Sequence, residues 1–189
     1  MTTALIMGRA KSVWDEVKAA QALTTFDYTL VTGPIGVDYP GEIDCWVWFH
    51  TELFEDFARR RSKKGHPPAK SYWGSKFRGR VRPHGIIPVK YSSWGGGGSS
   101  GLIAVMVALD ELVPAADRVV LAGIPLTIEG GQYDSDKVWH EATKHRHSWD
   151  LALPKLMGRV RSFSGWTLKL LGDQPPTADW LREQHLADA

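Results

Sequence analysis

The sequence predicts an α/β fold: a three-layer domain with a mostly parallel central sheet and helices on both faces. Two observations support this prediction. Short apolar runs alternate with segments of helical period, and glycines follow several of the runs. Such alternation implies parallel strands joined by right-handed crossovers. At 189 residues the chain has the usual size of one domain, so we expect a single domain over residues 1–189.

The first half of the chain contains three predicted strands. Residues 4–7 form an apolar run that ends at Gly8, and residues 28–31 and 45–49 form two more. The first run is followed by apolar residues at helical spacing, namely Val13, Val17 and Ala20. Thr51 is the predicted cap of a second helix with Leu53, Phe54 and Phe57 on its inner face. Strand and helix therefore alternate from the start.

The second half begins with a basic, irregular excursion at about residues 62–93, which contains one short predicted strand near 86–89. A regular amphipathic helix then follows Gly101, and residues 118–122 form a strand that Gly123 ends. The remaining predictions are a helix at 136–151, a short strand at 159–161 and a helix at 177–186 capped by Thr177.

Charge is distributed unevenly, although the formal net charge is only +2. Between Asp56 and Asp110 there is no acidic residue, whereas eleven Lys and Arg residues lie there. This pattern has two interpretations: a solvated face, or a surface that contacts phosphates. A single cysteine, Cys45, excludes a disulfide framework within the chain. Because no apolar run approaches 20 residues, we expect no membrane span and a cytoplasmic protein, in a host cytoplasm if it is viral.

The glycine-rich turn from Gly95 to Gly101 is the main candidate for a ligand site. Glycines allow the backbone to approach a ligand closely, and the start of a helix offers unpaired amides to an anion. Ser99 or Ser100 is the predicted helix cap, and Gly97, Gly98, Ser99, Ser100 and Gly101 are the predicted ligand contacts. A flexible linker is the alternative. The turn lacks the Gly-Lys-Ser/Thr ending of a P-loop.

A second candidate turn, Gly8 to Ser12, follows the first strand. Arg9, Lys11 and Ser12 carry groups that bind phosphate, and Gly8 allows close approach. Ligands of parallel α/β sheets bind beyond the carboxyl ends of the strands, which is where both turns are expected. An ordinary connection between strand and helix is the alternative.

The segment from Gly95 to Leu126, with its glycine cluster, Ser99 and the strand Val119 to Gly123, resembles the Rossmann-like fold of archaeal hydroxymethylpterin pyrophosphokinases, Maf flagellin glycosyltransferases and sialyltransferase-like proteins. The turn at Gly8 is similar to their first nucleotide turn. The resemblance implies a nucleotide or nucleotide-sugar ligand with its phosphates near Gly97 to Ser100. The chain departs from those enzymes at Ile124-Pro125 and at Phe49-His50, where carboxylates are expected.

The sequence contains fewer candidate catalytic residues than candidate ligand contacts. A divalent cation such as Mg²⁺ would need oxygen ligands, and Asp44, Asp134 and Asp136 are the available carboxylates. His140 and His145 are candidate general acids or bases, with a solvent-facing helix as the alternative. Their spacing does not suit zinc, which on a helix requires histidines at positions i and i+4. Arg161 is a candidate second anion contact.

Three functions are compatible with these patterns. The first is a nucleotide- or nucleotide-sugar-dependent transferase in which the basic excursion closes over the ligand. The second is a nucleic-acid-binding accessory protein that uses the basic segment 59–90, in which Trp73 is interleaved with cations and which Trp94 follows closely. The third is a module that binds a nucleotide without turning it over. The oligomeric state is not predictable from the sequence.

Overall fold

The computed structural model describes residues 1–74, 85–89, 99–136 and 138–183. Within these ranges seven strands form one sheet, and all six pairings between neighbours are parallel. The strands are β1 (Thr3–Met7), β2 (Tyr28–Thr32), β3 (Cys45–Trp48), β4 (Ser71–Gly74), β5 (Ile86–Pro88), β6 (Arg118–Ala122) and β7 (Val160–Ser162). Their order in the sheet is β5-β4-β3-β2-β1-β6-β7, so the predicted α/β fold with a parallel sheet is confirmed.

The strand order reverses at β1. Strands β2 to β5 add successively on one side of β1, and the chain then crosses back to place β6 on its other side. Met7 is in register with Val31 of β2 and with Ala122 of β6, so these strands end at one level. We call this edge, where the strands end, the carboxyl edge, and the opposite one the amino edge. The carboxyl edge at the β1–β6 reversal is the usual ligand position in such sheets.

Helices cover both faces of the sheet. They are α1 (Val13–Leu23), α2 (Ile35–Asp38), α3 (Phe54–Lys63), α4 (Ser100–Met106), α5 (Arg146–Leu156), α6 (Gly165–Leu170) and α7 (Ala178–Arg182). Ala4 and Ile6 of β1 pack in one hydrophobic core with α4, whereas Leu5 and Met7 pack in the other with α1. This alternation is what a strand buried on both faces requires. No helix in the described ranges is long and apolar enough to span a bilayer.

Several predicted elements differ from the structure. Ser71–Gly74 forms β4 inside the segment predicted to be irregular. The predicted helix at 136–151 is instead a 3-10 segment, His140–His145, followed by α5. Thr51 does not cap a helix: it is buried within a 3-10 turn, Thr51–Leu53, and its hydroxyl makes no capping bond. The Thr177 cap is confirmed, because its hydroxyl oxygen accepts from Trp180 N at 3.2 Å.

Candidate functional site

A cleft of about 290 Å³ opens at the carboxyl edge. Five segments supply most of its lining: 8–10, 32–34, 48–50 and 123–127 at the ends of strands, and 99–101 at the start of α4. Segments 8–10 and 123–127 follow β1 and β6, so the cleft lies at the reversal of strand order. Its volume is near the lower end of the range of small-molecule sites, roughly 300–1,000 Å³. Both turns predicted from the sequence contribute to this one cleft.

Two glycines bring the turns after β1 and β6 into direct contact. The N–H of Gly8 donates to Ala122 O at 2.7 Å, and that of Ala10 donates to Gly123 O at 3.1 Å. A Cβ at Gly8 would lie 2.3 Å from Gly123 O, and Gly123 itself has φ +70°. A side chain is therefore excluded at Gly8 by space and disfavoured at Gly123 by backbone conformation.

A buried carboxylate holds the Gly123 turn from behind. Glu16 of α1 is 8% exposed, and its Oε2 accepts from Gly123 N at 2.7 Å while its Oε1 accepts from Ser164 Oγ at 2.6 Å. These bonds connect α1, the end of β6 and the start of α6. The close approach of the two turns is thus fixed by packing and by hydrogen bonds.

Ser99 is the N-cap of α4 and a buried part of the cleft lining, with 8% of its surface exposed. Its Oγ accepts from Leu102 N at 3.2 Å and from the fully buried Trp149 Nε1 at 3.1 Å. A hydroxyl has two acceptor sites and one proton. Because both acceptor sites are occupied, the remaining capacity of Ser99 is that of a donor, and the described residues offer this proton no acceptor.

Ser100 and Gly101 continue this polar part of the lining. The Ser100 Oγ accepts from Phe49 N at 3.0 Å, which ties the start of α4 to the end of β3. Gly101 packs against Ile124 with little room for a side chain. The other two predicted contacts of this turn, Gly97 and Gly98, lie outside the described residues.

Of the residues predicted in the first turn, Gly8 and Arg9 line the cleft. The guanidinium of Arg9 makes a two-pronged ion pair with Asp134, with nitrogen to oxygen distances of 2.6 and 2.8 Å. Lys11 is exposed and lies along Gly131. Ser12 precedes α1 without a side-chain cap bond. Neither Lys11 nor Ser12 belongs to the lining.

Aromatic and aliphatic side chains form another wall of the cleft. Trp48, Phe49, Leu53 and Phe57 all line it. The rings of Trp48 and Phe57 stack with centroids 5.0 Å apart, and the ring centroid of Trp46 lies 4.9 Å from that of Trp48. Trp48 is 2% exposed, and its indole Nε1 has no hydrogen-bond partner among the described residues. The wall therefore combines flat apolar surface with one unused donor.

Of the two histidines predicted to be catalytic, one lines the cleft and the other does not. His145 lines the cleft, with its ring 5.7 Å from that of Trp139, whereas His140 is exposed and outside the lining. His50, which was not among the predicted site residues, lines the cleft and pairs with Glu52. The only sequence signal for it was its place directly after the third predicted strand.

Two other predicted residues lie elsewhere. Asp44 precedes β3 and therefore belongs to the amino edge, where it accepts from Thr29 N at 2.8 Å and pairs with Lys70. Arg161 of β7 donates to Gln174 Oε1 at 2.9 Å and stacks over Trp180 at 4.7 Å. Burial lowers the pKa of this guanidinium. Neither side chain reaches the cleft lining.

The described lining does not fit a divalent cation. It contains no Asp or Glu side chain, and the described residues contain no group of three His, Cys, Asp or Glu side chains that could hold a metal ion. Mg²⁺ prefers oxygen ligands, carboxylates above all. We therefore assign no step to a metal.

In the described part of the basic segment, most cations have partners. Asp56 pairs with Arg59 at 2.6 Å and with Arg60 at 3.9 Å, Asp38 pairs with Lys64, and Lys70 contacts Glu42 and Asp44. Arg61 is buried. Asp56 is a local partner on the same helix, whereas the fold brings Asp38, Glu42 and Asp44 from an earlier segment to Lys64 and Lys70. Of the remaining Lys and Arg residues in this segment, Lys63 is described. The others lie outside the described residues: Lys76, Arg78, Arg80, Arg82 and Lys90.

Comparisons of the chain with protein-family models, curated proteins and solved structures found no match. No relative therefore supplies a substrate or a set of site residues. The resemblance to Rossmann-like pyrophosphokinases and glycosyltransferases stays a prediction, and the cleft itself is the basis for assigning a function.

Proposed function

We propose that this chain binds a nucleotide or nucleotide sugar in the cleft at the carboxyl edge and acts as a transferase on it. The observation that carries the proposal is the Ser99 hydroxyl. It is buried in the lining, its oxygen already accepts two hydrogen bonds, and only its proton is left for a ligand. A phosphate oxygen is a strong acceptor for such a donor.

The aromatic wall is the argument for a nucleobase as the other end of the ligand. Flat rings such as those of Trp48 and Phe57 are the surfaces on which nucleobases stack. The Trp48 Nε1, which is buried and has no partner among the described residues, is proposed to donate to a ring nitrogen or carbonyl of the base once the ligand is bound. In the proposed pose the phosphate contacts Ser99 and Ser100, and the base lies toward the aromatic wall.

A thermal-shift screen across nucleotides and nucleotide sugars tests binding. A ligand at a hundred times its Kd stabilises a protein by about 2.7 kcal/mol, which for this chain length corresponds to a rise in Tm of roughly 5–10 °C. We expect at least one nucleotide to produce such a rise.

The variant Ser99→Asp tests the site. Aspartate still caps the helix and still accepts from Leu102 N and Trp149 Nε1, but it cannot donate and it repels phosphate. We expect Ser99→Asp to abolish the ligand-induced rise in Tm. Thr177→Asp is the matched control, because it makes the same kind of change at the cap of α7 and should keep the full rise. Equal rises in both variants would refute the proposed site.

A module that binds a nucleotide without turnover is a second candidate. The absence of carboxylates from the described lining favours it. A binding module would release the nucleotide sugar unchanged in the presence of acceptors, whereas a transferase would release a nucleoside phosphate, which ³¹P NMR distinguishes. Binding to nucleic acid, by contrast, would weaken steeply with salt and would be indifferent to Ser99→Asp.

A further inference from the structure

His50 and Glu52 form a hydrogen-bonded pair beside the cleft. His50 lies two residues after Trp48, the last residue of β3, and lines the cleft. Its Nδ1 is 2.9 Å from Glu52 Oε1. The two side chains are 66% and 47% exposed, so a ligand can reach the pair from the open side of the cleft.

The carboxylate decides which ring nitrogen of His50 carries the proton. An ionised Glu can only accept a hydrogen bond, so the neutral imidazole facing it must carry its proton on Nδ1. The other ring nitrogen, Nε2, then has a free lone pair. A histidine in this form can accept a proton at Nε2, while the carboxylate sets the orientation of its ring.

The backbone brings His50 close to Ser100, in the polar part of the cleft lining. Phe49, the residue directly before His50, donates its N–H to Ser100 Oγ at 3.0 Å. His50 therefore directly follows the residue that is bonded to Ser100, beside which the phosphate of the ligand is proposed to lie. The other titratable side chains of the described lining are Arg9, which is paired with Asp134, and His145, which belongs to the separate segment His140–His145.

We infer that His50 is the proton acceptor of the transfer reaction and that Glu52 is its positioning residue, with a hydroxyl group as the acceptor substrate. This inference rests on the proposed function. The hydroxyl oxygen forms a bond to the anomeric carbon of the nucleotide sugar, and the bond from that carbon to the phosphate oxygen breaks. The electron pair leaves with the nucleoside phosphate, and the hydroxyl proton passes to His50 Nε2.

The first test is a measurement of turnover. UDP-glucose, GDP-mannose and CMP-N-acetylneuraminate are incubated with the protein and with water, glycerol or lactose as acceptor, and ³¹P NMR follows the released nucleoside phosphate. We expect His50→Gln to lower kcat about 100-fold or more, and Glu52→Gln to lower it less, while neither changes the nucleotide-induced rise in Tm. His66→Gln, outside the cleft lining, is the control and should keep full turnover.

The second test is the tautomer of His50. Long-range ¹H–¹⁵N NMR should find the proton on Nδ1 in the unaltered protein and a shift toward the Nε2-protonated form in Glu52→Gln. A predominantly Nε2-protonated His50 in the unaltered protein would overturn the inference. So would a His50→Gln variant with full turnover, which leaves the proposed function intact. Nucleotide binding without turnover would overturn both this inference and the transferase activity, and would leave the binding module. If no nucleotide binds at all, the proposed function fails and this inference fails with it.

Discussion

The two edges of the sheet differ in how completely their polar groups are used. At the amino edge an aspartate stands directly before each of β2, β3 and β6, and its carboxylate accepts from a backbone N–H of the neighbouring segment. The three bonds, at 2.7–2.8 Å, are Asp27 to Thr3 N, Asp44 to Thr29 N, and Asp117 to Thr2 N. Strand ends that lack a neighbour for pairing are thereby satisfied.

At the carboxyl edge, by contrast, some buried hydrogen-bonding groups have no partner among the described residues. Among the described residues, the buried side-chain nitrogen and oxygen atoms without a partner are Trp48 Nε1 and Thr51 Oγ1, and both lie at the end of β3. The proton of Ser99 adds a third unused group nearby. Leaving a buried polar group unpaired costs about 1–3 kcal/mol. The comparison teaches that the amino edge uses its aspartates to satisfy strand ends, whereas the unpartnered buried side-chain groups of the described residues lie at the carboxyl edge.

The strongest challenge to this comparison is to remove the buried cation near the amino edge. Arg61 of α3 is 1% exposed and donates to four backbone carbonyls that lead into β3 and β4, those of Gly36, Tyr39, Gly41 and Pro67. Arg61→Met leaves these oxygens without their donors, so we expect the free energy of unfolding to fall by about 3 kcal/mol or more. Urea unfolding measures this loss.

The matched control lies on the same helix. Among the described residues Arg59 pairs only with the exposed Asp56, so Arg59→Met should change the free energy of unfolding by less than about 0.5 kcal/mol. Folded Arg61→Met protein should still show the nucleotide-induced rise in Tm. Similar stabilities for the two variants, or loss of ligand binding in Arg61→Met alone, would contradict the division of roles between the edges.

A smaller effect is expected from Trp48→Phe at the carboxyl edge. This change keeps an aromatic ring but removes the unused N–H, so the affinity for the best nucleotide of the screen should fall about 5- to 10-fold, the equivalent of one hydrogen bond. Isothermal titration measures it. Trp46→Phe is the control: its Nε1 already donates to Gly33 O at 2.8 Å, so its loss should lower stability and leave nucleotide affinity nearly unchanged. The reverse pattern would show that the Trp48 donor faces no ligand.

The sequence predicted the elements that carry strong local signals. Continuous apolar runs ending in glycine or histidine marked β1, β3 and β6, and both predicted turns reach the cleft. Strand β4 was missed because it has only four residues and lies among glycines, prolines and basic residues that indicate a loop. Helix α2 was missed because four residues are too few to show helical periodicity.

The site was predicted less completely because its residues meet only through the fold. Asp44 was expected near the ligand, yet a residue directly before a parallel strand lies at the amino edge, and that position was readable from the sequence. The pair His50 and Glu52 forms no motif and becomes visible only when β3 is known to end beside Ser100. The partners of Ser99, above all the distant Trp149, are likewise a product of packing.

The smallest expected effect concerns the rim of the cleft, where Asp38 connects the loop that carries Gly131 and Gln132 to α3. The Asp38 carboxylate accepts from Tyr133 Oη and from Lys64 Nζ. Burial alone would raise the pKa of Asp38, but the bonds from Lys64 and Tyr133 outweigh it and hold this pKa below its ordinary value. Burial and the Asp38 carboxylate together raise the pKa of Tyr133, which keeps the phenol protonated as a donor.

A carboxylate whose pKa is lower in the folded than in the unfolded state stabilises the fold above the unfolded pKa, about 4, and this contribution is lost as the pH falls through the folded pKa. We expect Asp38→Asn to reduce the acid-induced loss of stability below pH 4, by less than about 1 kcal/mol because solvent screens the cluster. Tyr133→Phe should reduce it partly, since Lys64 remains. Urea unfolding between pH 2.5 and 6, values chosen to span roughly the titration of carboxylates, measures both. Identical pH profiles in the two variants and the unaltered protein would mean that the rim, unlike the amino edge, is not held by its polar contacts.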